Sequence, residues 1–294
     1  MRFLAMALIG LALPALAEVP RVVTDVPPVQ ALVAQVMGDL GTPVLLLEKG
    51  ADEHDFQMRP SQRRALAGAD LVVWIGPELT PWLERAMAGG AAKSLALLDA
   101  DGTHRRPYVH VEDAGDEHSD HDGIDPHGWL DPDNAALWLG AIAQELGQID
   151  PDHAGIYATN AALAKERIAA LDATIATLLE PVKSRGFVTF HAAYGYFAAH
   201  YGLTGAGALA LGDAATPGAA RLAGLRADLE AGRYLCAFPE VQHDPALMDQ
   251  LLAGTAVRKG AALDPVGSNL DIGPNGYEQL MLGLAQGLAA CLKG

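Results

Sequence analysis

Short apolar runs rich in β-branched residues and leucine alternate with helix-forming stretches in the first part of the chain. The runs predict strands at residues 21–26, 44–47, 71–75 and 94–98, with helices at 28–40, 60–67 and 81–88. Several of these strands are apolar throughout, as expected for a parallel sheet covered on both faces. Prolines near the helix starts agree with the preference for the first turn. We therefore predict an α/β unit.

The same alternation returns after residue 185. It predicts strands at 186–190, 234–238 and near 261–264, and helices near 194–201, 219–231, 245–254 and 277–292. The second half of the chain should therefore form another α/β unit.

A long helical stretch lies between the two units, at residues 151–183. It is rich in Ala, Leu, Lys and Glu, and its apolar residues recur at helical spacing, as Leu163, Ile168, Leu171, Ile175 and Leu178. About 28 helical residues would reach roughly 40 Å, the length of both units. We predict an N-terminal lobe at 18–150, a rigid linking helix at 151–185 and a C-terminal lobe at 186–294.

The first 17 residues have the pattern of a secretory signal peptide. Arg2 is followed by an apolar run and by the small-x-small sequence that ends at Ala17. The run is too short to cross a bilayer. Cleavage after Ala17 would leave Glu18 first, with no nearby cysteine to carry a lipid. We expect a soluble protein exported to a periplasm, with a retained membrane anchor as the alternative.

The composition is acidic, with 36 Asp and Glu against 20 Lys and Arg and a net charge of −16. Arg2 is the only charged residue of the first 17, so its removal leaves −17. This argues against nucleic acid and anionic membranes as partners, and suits a protein that meets cations.

The chain has two cysteines, Cys236 and Cys291. In an oxidising compartment they predict one disulfide rather than a pair of metal ligands. Two unpaired buried thiols are the alternative.

A polar segment at residues 101–125 interrupts the α/β alternation. Its four histidines are scattered among acidic residues, as His104, His110, His118 and His121. So few apolar residues cannot bury enough surface to fold, and we expect the segment to be mobile. Its histidines would be weak, quickly exchanging metal ligands, or the segment is a solvated charge run without a role.

Three other histidines stand in connections of the predicted scaffold. His191 directly follows strand 186–190, at the carboxyl end where α/β sheets bind ligands. His54 lies in a polar loop before helix 60–67, and His127 precedes a helix start at Asp131. Neutral imidazole is a common zinc ligand, so three converging rings would make a zinc site with one position left over. Taken singly, each is also explained as a surface or structural histidine.

Several motifs resemble those of the ZnuA-type periplasmic zinc-binding proteins of high-affinity zinc ABC importers, the cluster A-I (cluster 9) family. They cover nearly the whole mature chain: EHDFQMRPS, ADLVVWIGPE, HGWLDP, FHAAYGYF, PGAARL, LDPVGSN and CLKG. The resemblance implies two α/β lobes with mainly parallel sheets and a rigid linking helix. It also implies one zinc ion in the interlobe cleft, bound by His54, His127 and His191, and a Cys236–Cys291 disulfide. In the family's histidine loop the histidines are densely clustered, whereas in segment 101–125 acidic residues separate them.

The fourth ligand is open between three candidates. Glu53 adjoins His54 and is our first choice, Asp264 in LDPVGSN is its rival, and water is the third. Related manganese binders carry Glu where His191 stands, so the histidine set favours zinc. His200 and His243 have no matching role in the family and are expected to be structural or surface residues. His153 is expected to be a helix-start residue.

The resemblance implies a binding protein rather than an enzyme. It would capture one Zn(II) tightly and, as a monomer, deliver it to the permease of an ABC importer with a cytoplasmic ATPase. A weak second site would lie in the segment with His104, His110, His118 and His121. The alternatives are a manganese-binding relative, a zinc-dependent hydrolase and an adhesin of the same fold. No HExxH, nucleophile elbow or phosphate-binding glycine loop supports a hydrolase, and no anchor cysteine supports an adhesin.

Overall fold

The computed structural model describes residues 18–51, 53–54, 56–90, 92–107, 123–210 and 217–294, so the predicted signal peptide lies outside it. The strands are β1 Val22–Thr24, β2 Val44–Leu45, β3 Leu71–Trp74, β4 Lys93–Ala96, β5 Phe187–His191, β6 Ala206–Ala210, β7 Cys236–Phe238 and β8 Arg258–Lys259. The α-helices are α1 Pro27–Met37, α2 Pro60–Ala67, α3 Pro81–Met87, α4 Pro132–Ile149, α5 Ala154–Leu179, α6 Gly195–His200, α7 Ala219–Glu230, α8 Ala246–Leu252 and α9 Gly276–Leu292.

The strands form two four-stranded sheets, in the orders β2-β1-β3-β4 and β6-β5-β7-β8. Every strand pair in both sheets is parallel. The first strand of each half therefore lies between the second and the third, and the order reverses at β1/β3 and at β5/β7. A crevice at the carboxyl ends of such neighbouring strands is where open α/β sheets bind ligands. The predicted fold class, two α/β units with parallel sheets, is confirmed.

Both faces of the first sheet are buried at its central strands β1 and β3, which explains why these two strands are largely apolar. Along β3, Leu71 and Val73 join the large core, while Val72 and Trp74 join a smaller cluster on the other face. Successive side chains of a strand point to opposite faces, so each of these four residues has apolar neighbours. The second sheet has the same arrangement.

The predicted long helix is confirmed as α5, whose 26 residues extend about 39 Å at 1.5 Å per residue. Short 3-10 turns precede it at Pro151–His153 and follow it at Glu180–Val182. The helix packs against α1 and α4 of the first half and against α9 of the second. It is thus a support shared by both halves.

Hydrogen bonds also join the two halves directly. The Trp129 indole donates to the Pro265 carbonyl at 2.8 Å, and the Tyr277 hydroxyl donates to the Trp129 carbonyl at 2.9 Å. The Gln35 amide donates to the Pro274 carbonyl at 2.8 Å. Trp129 and Tyr277 belong to one buried cluster that extends through both halves. The halves therefore share a core as well as a helix.

We expect this shared core to limit the movement of the halves when zinc is removed. A helix without an internal hinge and a continuous apolar interface both oppose a large rotation. Small-angle scattering of the apo and zinc-loaded protein should give closely similar radii of gyration. A large difference between the two radii would show that α5 is not a rigid support.

Three elements differ from the sequence prediction. The prediction of a strand near 261–264 is wrong. Strand β8 lies earlier in the chain, and Leu263 forms only an isolated bridge with Glu240. Strand β6 was not predicted, because its sequence AGALA has no β-branched residue. Its small side chains suit the packing, since a Cβ on Gly207 would lie 2.7 Å from the Tyr234 hydroxyl oxygen. Helix α4 was recognised only by its start at Asp131.

The predicted disulfide is confirmed between Cys236 and Cys291. It joins a buried strand of the second sheet, β7, to the last turn of α9 across a sequence separation of 55. The alternative of two unpaired thiols is wrong.

The predicted mobile segment, 101–125, included residues that are part of the fold. Its ends belong to the fold: Pro107 and Ile124 form an antiparallel bridge, and the Asp125 amide donates to the Arg106 carbonyl at 2.8 Å. His110, His118 and His121 lie outside the described residues.

Within the part of the chain that is described, no helix is both long enough and apolar enough to cross a bilayer.

Candidate metal centre

His54, His127 and His191 converge between the two sheets. The ring centroids of His54 and His127 are 5.9 Å apart, and those of His127 and His191 are 5.3 Å apart. The Nε2 atoms of His127 and His191 are separated by 3.4 Å. His127 is therefore the central member of the three.

Each histidine is placed by a different part of the fold. His191 is the last residue of β5 and pairs with Ala210 of β6. His127 immediately precedes the 3-10 turn Gly128–Leu130, which leads into α4. His54 lies between β2 and α2, where the Trp82 indole donates to the Glu53 carbonyl at 2.9 Å. The centre thus combines two well-anchored candidate ligands with a third on a loop.

The exposed fraction of the side chains also separates His54 from the other residues of the centre. His127 is fully buried, and His191 and Glu53 are nearly so. The His54 side chain keeps 14% of its surface exposed. Since the other members are enclosed by the fold, solvent reaches the centre from the side of His54.

Carboxylates back two of the three rings. Asp125 Oδ1 lies 2.7 Å from Nδ1 of His127, and Glu240 Oε2 lies 2.5 Å from Nδ1 of His191. A carboxylate accepts hydrogen bonds, so each Nδ1 carries the proton and donates it. Each Nε2 then presents its lone pair toward the centre, the tautomer that a metal ligand needs.

Sequence reasoning missed both of these carboxylates. Asp125 was assigned to the mobile acidic segment, although its position two residues before His127 was a usable signal. Glu240 follows β7, which lies beside β5 in the sheet. That neighbour relation depends on strand order, and no local pattern in the sequence reports it.

Tyr196 holds the Asp125 backbone in place. Its hydroxyl donates to the Asp125 carbonyl at 3.1 Å and accepts from the Arg106 amide at 2.9 Å. Burial raises the pKa of Tyr196 to about 12, so the hydroxyl keeps its proton and remains a donor at neutral pH. The hydroxyl of Tyr196, a residue of the FHAAYGYF motif, thus supports the loop that carries His127.

The spacing of the nitrogens fits a tetrahedral metal ion. Zinc bound to imidazole at about 2.05 Å places two ligand nitrogens about 3.4 Å apart. The two Nε2 atoms have that separation, 3.4 Å. Two nitrogen lone pairs that face one centre repel each other, and a cation bound by both removes this repulsion.

The two side chains that are candidates for the fourth ligand, Glu53 and Asp264, have different surroundings. Glu53 Oε1 lies 3.9 Å from Nε2 of His54, and ligand atoms of Glu53, His54 and His127 all lie within 4.8 Å of one another. Asp264 instead accepts hydrogen bonds from the Ser268 and Asn269 amides at 2.9 and 3.0 Å. This geometry favours Glu53 and gives Asp264 a role in shaping its own loop.

The remaining described histidines also have polar or aromatic partners. His243 stacks on Phe190, with ring centroids 4.2 Å apart, and its Nε2 lies 3.8 Å from Glu240 Oε2. His153 Nδ1 lies 2.7 Å from Asp150 Oδ2 at the start of the linking helix. His243 is thus close to the centre, next to the carboxylate that backs His191.

The backing carboxylates should affect zinc affinity without touching the ion. Replacing Asp125 with asparagine, or Glu240 with glutamine, removes the charge that fixes each tautomer. We expect zinc binding to weaken about ten- to a hundredfold in a competition titration. Asp150→Asn is the matched control, because Asp150 backs His153 at the same distance, 2.7 Å. Equal affinity in all three variants and the wild type would exclude this role.

Both the sequence and the structure are similar to those of known zinc uptake proteins. The chain is 50% identical to the high-affinity zinc uptake system protein ZnuA of Paracoccus denitrificans, over 98% of this chain and 97% of the relative. It is 33% identical to the ZnuA of Brucella abortus (strain 2308), over 92% and 91% of the two chains. A crystal structure of ZnuA superposes with a TM-score of 0.77 at 25% identity, covering 92% of this chain and 99% of the other. The family model of ZnuA, described as zinc-uptake complex component A, periplasmic, matches residues 22–291, and the chain belongs to this family.

Proposed function

We propose that this protein captures Zn(II) in the periplasm and delivers it to the membrane permease of an ABC importer, with a cytoplasmic ATPase driving transport. The observation that carries the proposal is the convergence of three histidine rings, two of them backed by carboxylates, between two sheets. The relatives' name, high-affinity zinc uptake system protein, supports it. Zinc is then a cargo, and the protein performs no chemical step.

The proposed site binds one zinc ion through His54, His127, His191 and Glu53. Three imidazoles and one carboxylate suit zinc better than manganese, which prefers oxygen ligands. Glu53 is buried beside His54, and a carboxylate in such a place is a suitable oxygen ligand for a bound cation.

Capture and release have an order in this proposal. His127 and His191 are held by backing carboxylates, and His191 also by its strand. Glu53 and His54 belong to a loop, and His54 is the most exposed ligand. We expect zinc to meet His54 first on entry, and the loop ligands to detach first when the permease receives the ion.

We also propose that the chain is exported and processed, and that it folds as two lobes joined by a helix. Cleavage after Ala17 would release a soluble periplasmic protein that acts as a monomer. Its lobes would be 18–150 and 186–294, with 151–185 as the linking helix. Mass spectrometry of the exported protein should give a first residue of Glu18, and an uncleaved N-terminus would refute this processing.

The uptake role can be tested by combining metal analysis with growth. Protein purified from the periplasm should contain one zinc per chain, and a deletion strain should grow poorly under chelation until zinc is added. Tight manganese with weak zinc would favour the manganese-binding alternative. Turnover of generic ester or phosphate substrates would favour a hydrolase. Normal growth of the deletion strain under chelation would contradict a role in uptake.

A further inference from the structure

Trp82 contacts the chain on both sides of His54. Its indole donates to the Glu53 carbonyl at 2.9 Å. Its ring also packs against Phe56, with ring centroids 5.2 Å apart and ring planes inclined at 59°. Glu53 directly precedes His54, and Phe56 follows it by two residues. The most exposed of the candidate zinc ligands therefore lies between two contacts with one buried tryptophan.

Trp82 is itself fixed, because it lies in the first turn of α3 beside Pro81. Proline at a helix start is preorganised for the helical backbone. The preceding residue, Thr80, places its hydroxyl 3.4 Å from Oδ2 of Asp25, a buried carboxylate just after β1. The same Oδ2 accepts from the amide of Ile75, just after β3, at 2.9 Å. The turn that carries Trp82 is thus connected to the carboxyl ends of both central strands.

The loop with Glu53 and His54 has little packing on its other side. Phe56, Met58 and Trp82 line a cavity of about 780 Å³ between α2 and α3. A segment with few buried apolar contacts opens locally at a low cost in free energy. The position of this loop should therefore depend strongly on its contacts with Trp82.

We propose that Trp82 is a positioning residue of the zinc centre, which holds Glu53 and His54 in the geometry that binds the ion. The inference rests on the proposed function only in taking Glu53 and His54 as ligands. Trp82 acts through the loop, by reducing the conformational freedom that the two ligands lose when zinc binds. Because the loop ligands are expected to detach first, weaker anchoring should appear as faster release of zinc.

Trp82→Phe tests the proposal, since it keeps an aromatic ring beside Phe56 and removes the N–H donor. A single neutral hydrogen bond changes an equilibrium by about three- to tenfold. We expect zinc affinity to fall by about this factor in a chelator competition, with most of the change in the release rate measured by stopped flow. Hydrogen exchange of residues 53–58 should also become faster in the apo protein, and this second measurement does not depend on zinc.

Trp74→Phe is the matched control. Trp74 belongs to the same apolar cluster as Trp82, and the two side chains are 5% and 8% exposed. Its indole donates at the same distance, 2.9 Å, but to the Ser94 hydroxyl on β4 instead of to the loop. If Trp82 only fills the cluster, the two variants should have the same effect on zinc release. Should Trp82→Phe fold poorly, Phe56→Leu, which removes the ring contact from the loop side, should also give faster release.

A double-mutant cycle shows whether Trp82 acts through the loop ligands. With Glu53 and His54 both replaced by alanine, Trp82→Phe should no longer change the residual zinc affinity, whereas it should still do so beside His191→Ala. The proposal is overturned if Trp82→Phe matches the wild type in zinc release or in loop exchange, if Trp74→Phe has the same effect on zinc, or if the effect persists without the two loop ligands. A wild type without tight zinc would contradict the proposed function, and the loop exchange would still decide whether Trp82 holds the loop.

Discussion

Replacing His127 with alanine should weaken zinc binding by more than a hundredfold. This ring is fully buried and lies between His54 and His191, so its loss removes one ligand and the central support of the other two. A zinc-binding free energy of about 12 kcal/mol divided over four ligands gives about 3 kcal/mol for each, and 1.4 kcal/mol corresponds to a factor of ten. Competition with a chromogenic chelator would measure the change.

The matching alanine variants of His54 and His191 should behave similarly, with the smallest loss at His54. That ring is the most exposed of the three, and water can take its place more easily. His153→Ala is the control, since it removes a carboxylate-paired histidine outside the centre. Circular dichroism should report a native fold for every variant. Zinc affinity unchanged in all three ligand variants would refute the assigned site.

Removal of the Cys236–Cys291 disulfide should have the second large effect, on stability rather than on zinc binding. In the chain-entropy model, a bridge across 55 residues stabilises the folded protein by roughly 4 kcal/mol. We therefore expect the double variant Cys236→Ala, Cys291→Ala to unfold at a midpoint lower by on the order of 8 °C in thermal denaturation. Zinc stoichiometry should stay at one tight equivalent, because neither sulfur belongs to the centre.

The single variant Cys291→Ala provides a control for the cavity left at buried Cys236. If the bridge itself stabilises the fold, reduction of the wild type should lower the midpoint as much as the double variant does. A reduced wild type with an unchanged midpoint would show that the bridge contributes little. Two free thiols in denatured, non-reduced protein would contradict the bridge.

The sequence by itself determined the class of the fold. Strands buried on both faces must be apolar along their whole length, and β3 shows this as LVVW. The linking helix was equally readable, because residues 156–180 contain neither glycine nor proline, and such a composition favours a helix. The export pattern and the two cysteines predicted the disulfide from redox chemistry alone. Each of these features depends on the composition of a short stretch, so it can be recognised from neighbouring residues alone.

Part of the candidate centre was also readable from the chain. Because carboxyl ends of parallel strands meet at one edge of a sheet, a histidine placed directly after a strand, such as His191, was a recognisable ligand candidate. The choice between Glu53 and Asp264 was not readable, since each belongs to a loop of a different unit that could reach the same cleft. Asp264 accepts hydrogen bonds from two loop amides, and such bonds appear only in three dimensions.

Only the tertiary structure decided which side chains support the candidate ligands and which helices His200 joins. Glu240 reaches His191 because β7 lies next to β5, and strand order is set by packing of whole units rather than by neighbours in the chain. Asp131, Asp172 and His200 are likewise distant in sequence and meet where three helices cross. Within β6, Tyr234 leaves no room for a Cβ atom at Gly207. Each of these results depends on the distance between residues far apart in the chain, which local sequence patterns do not contain.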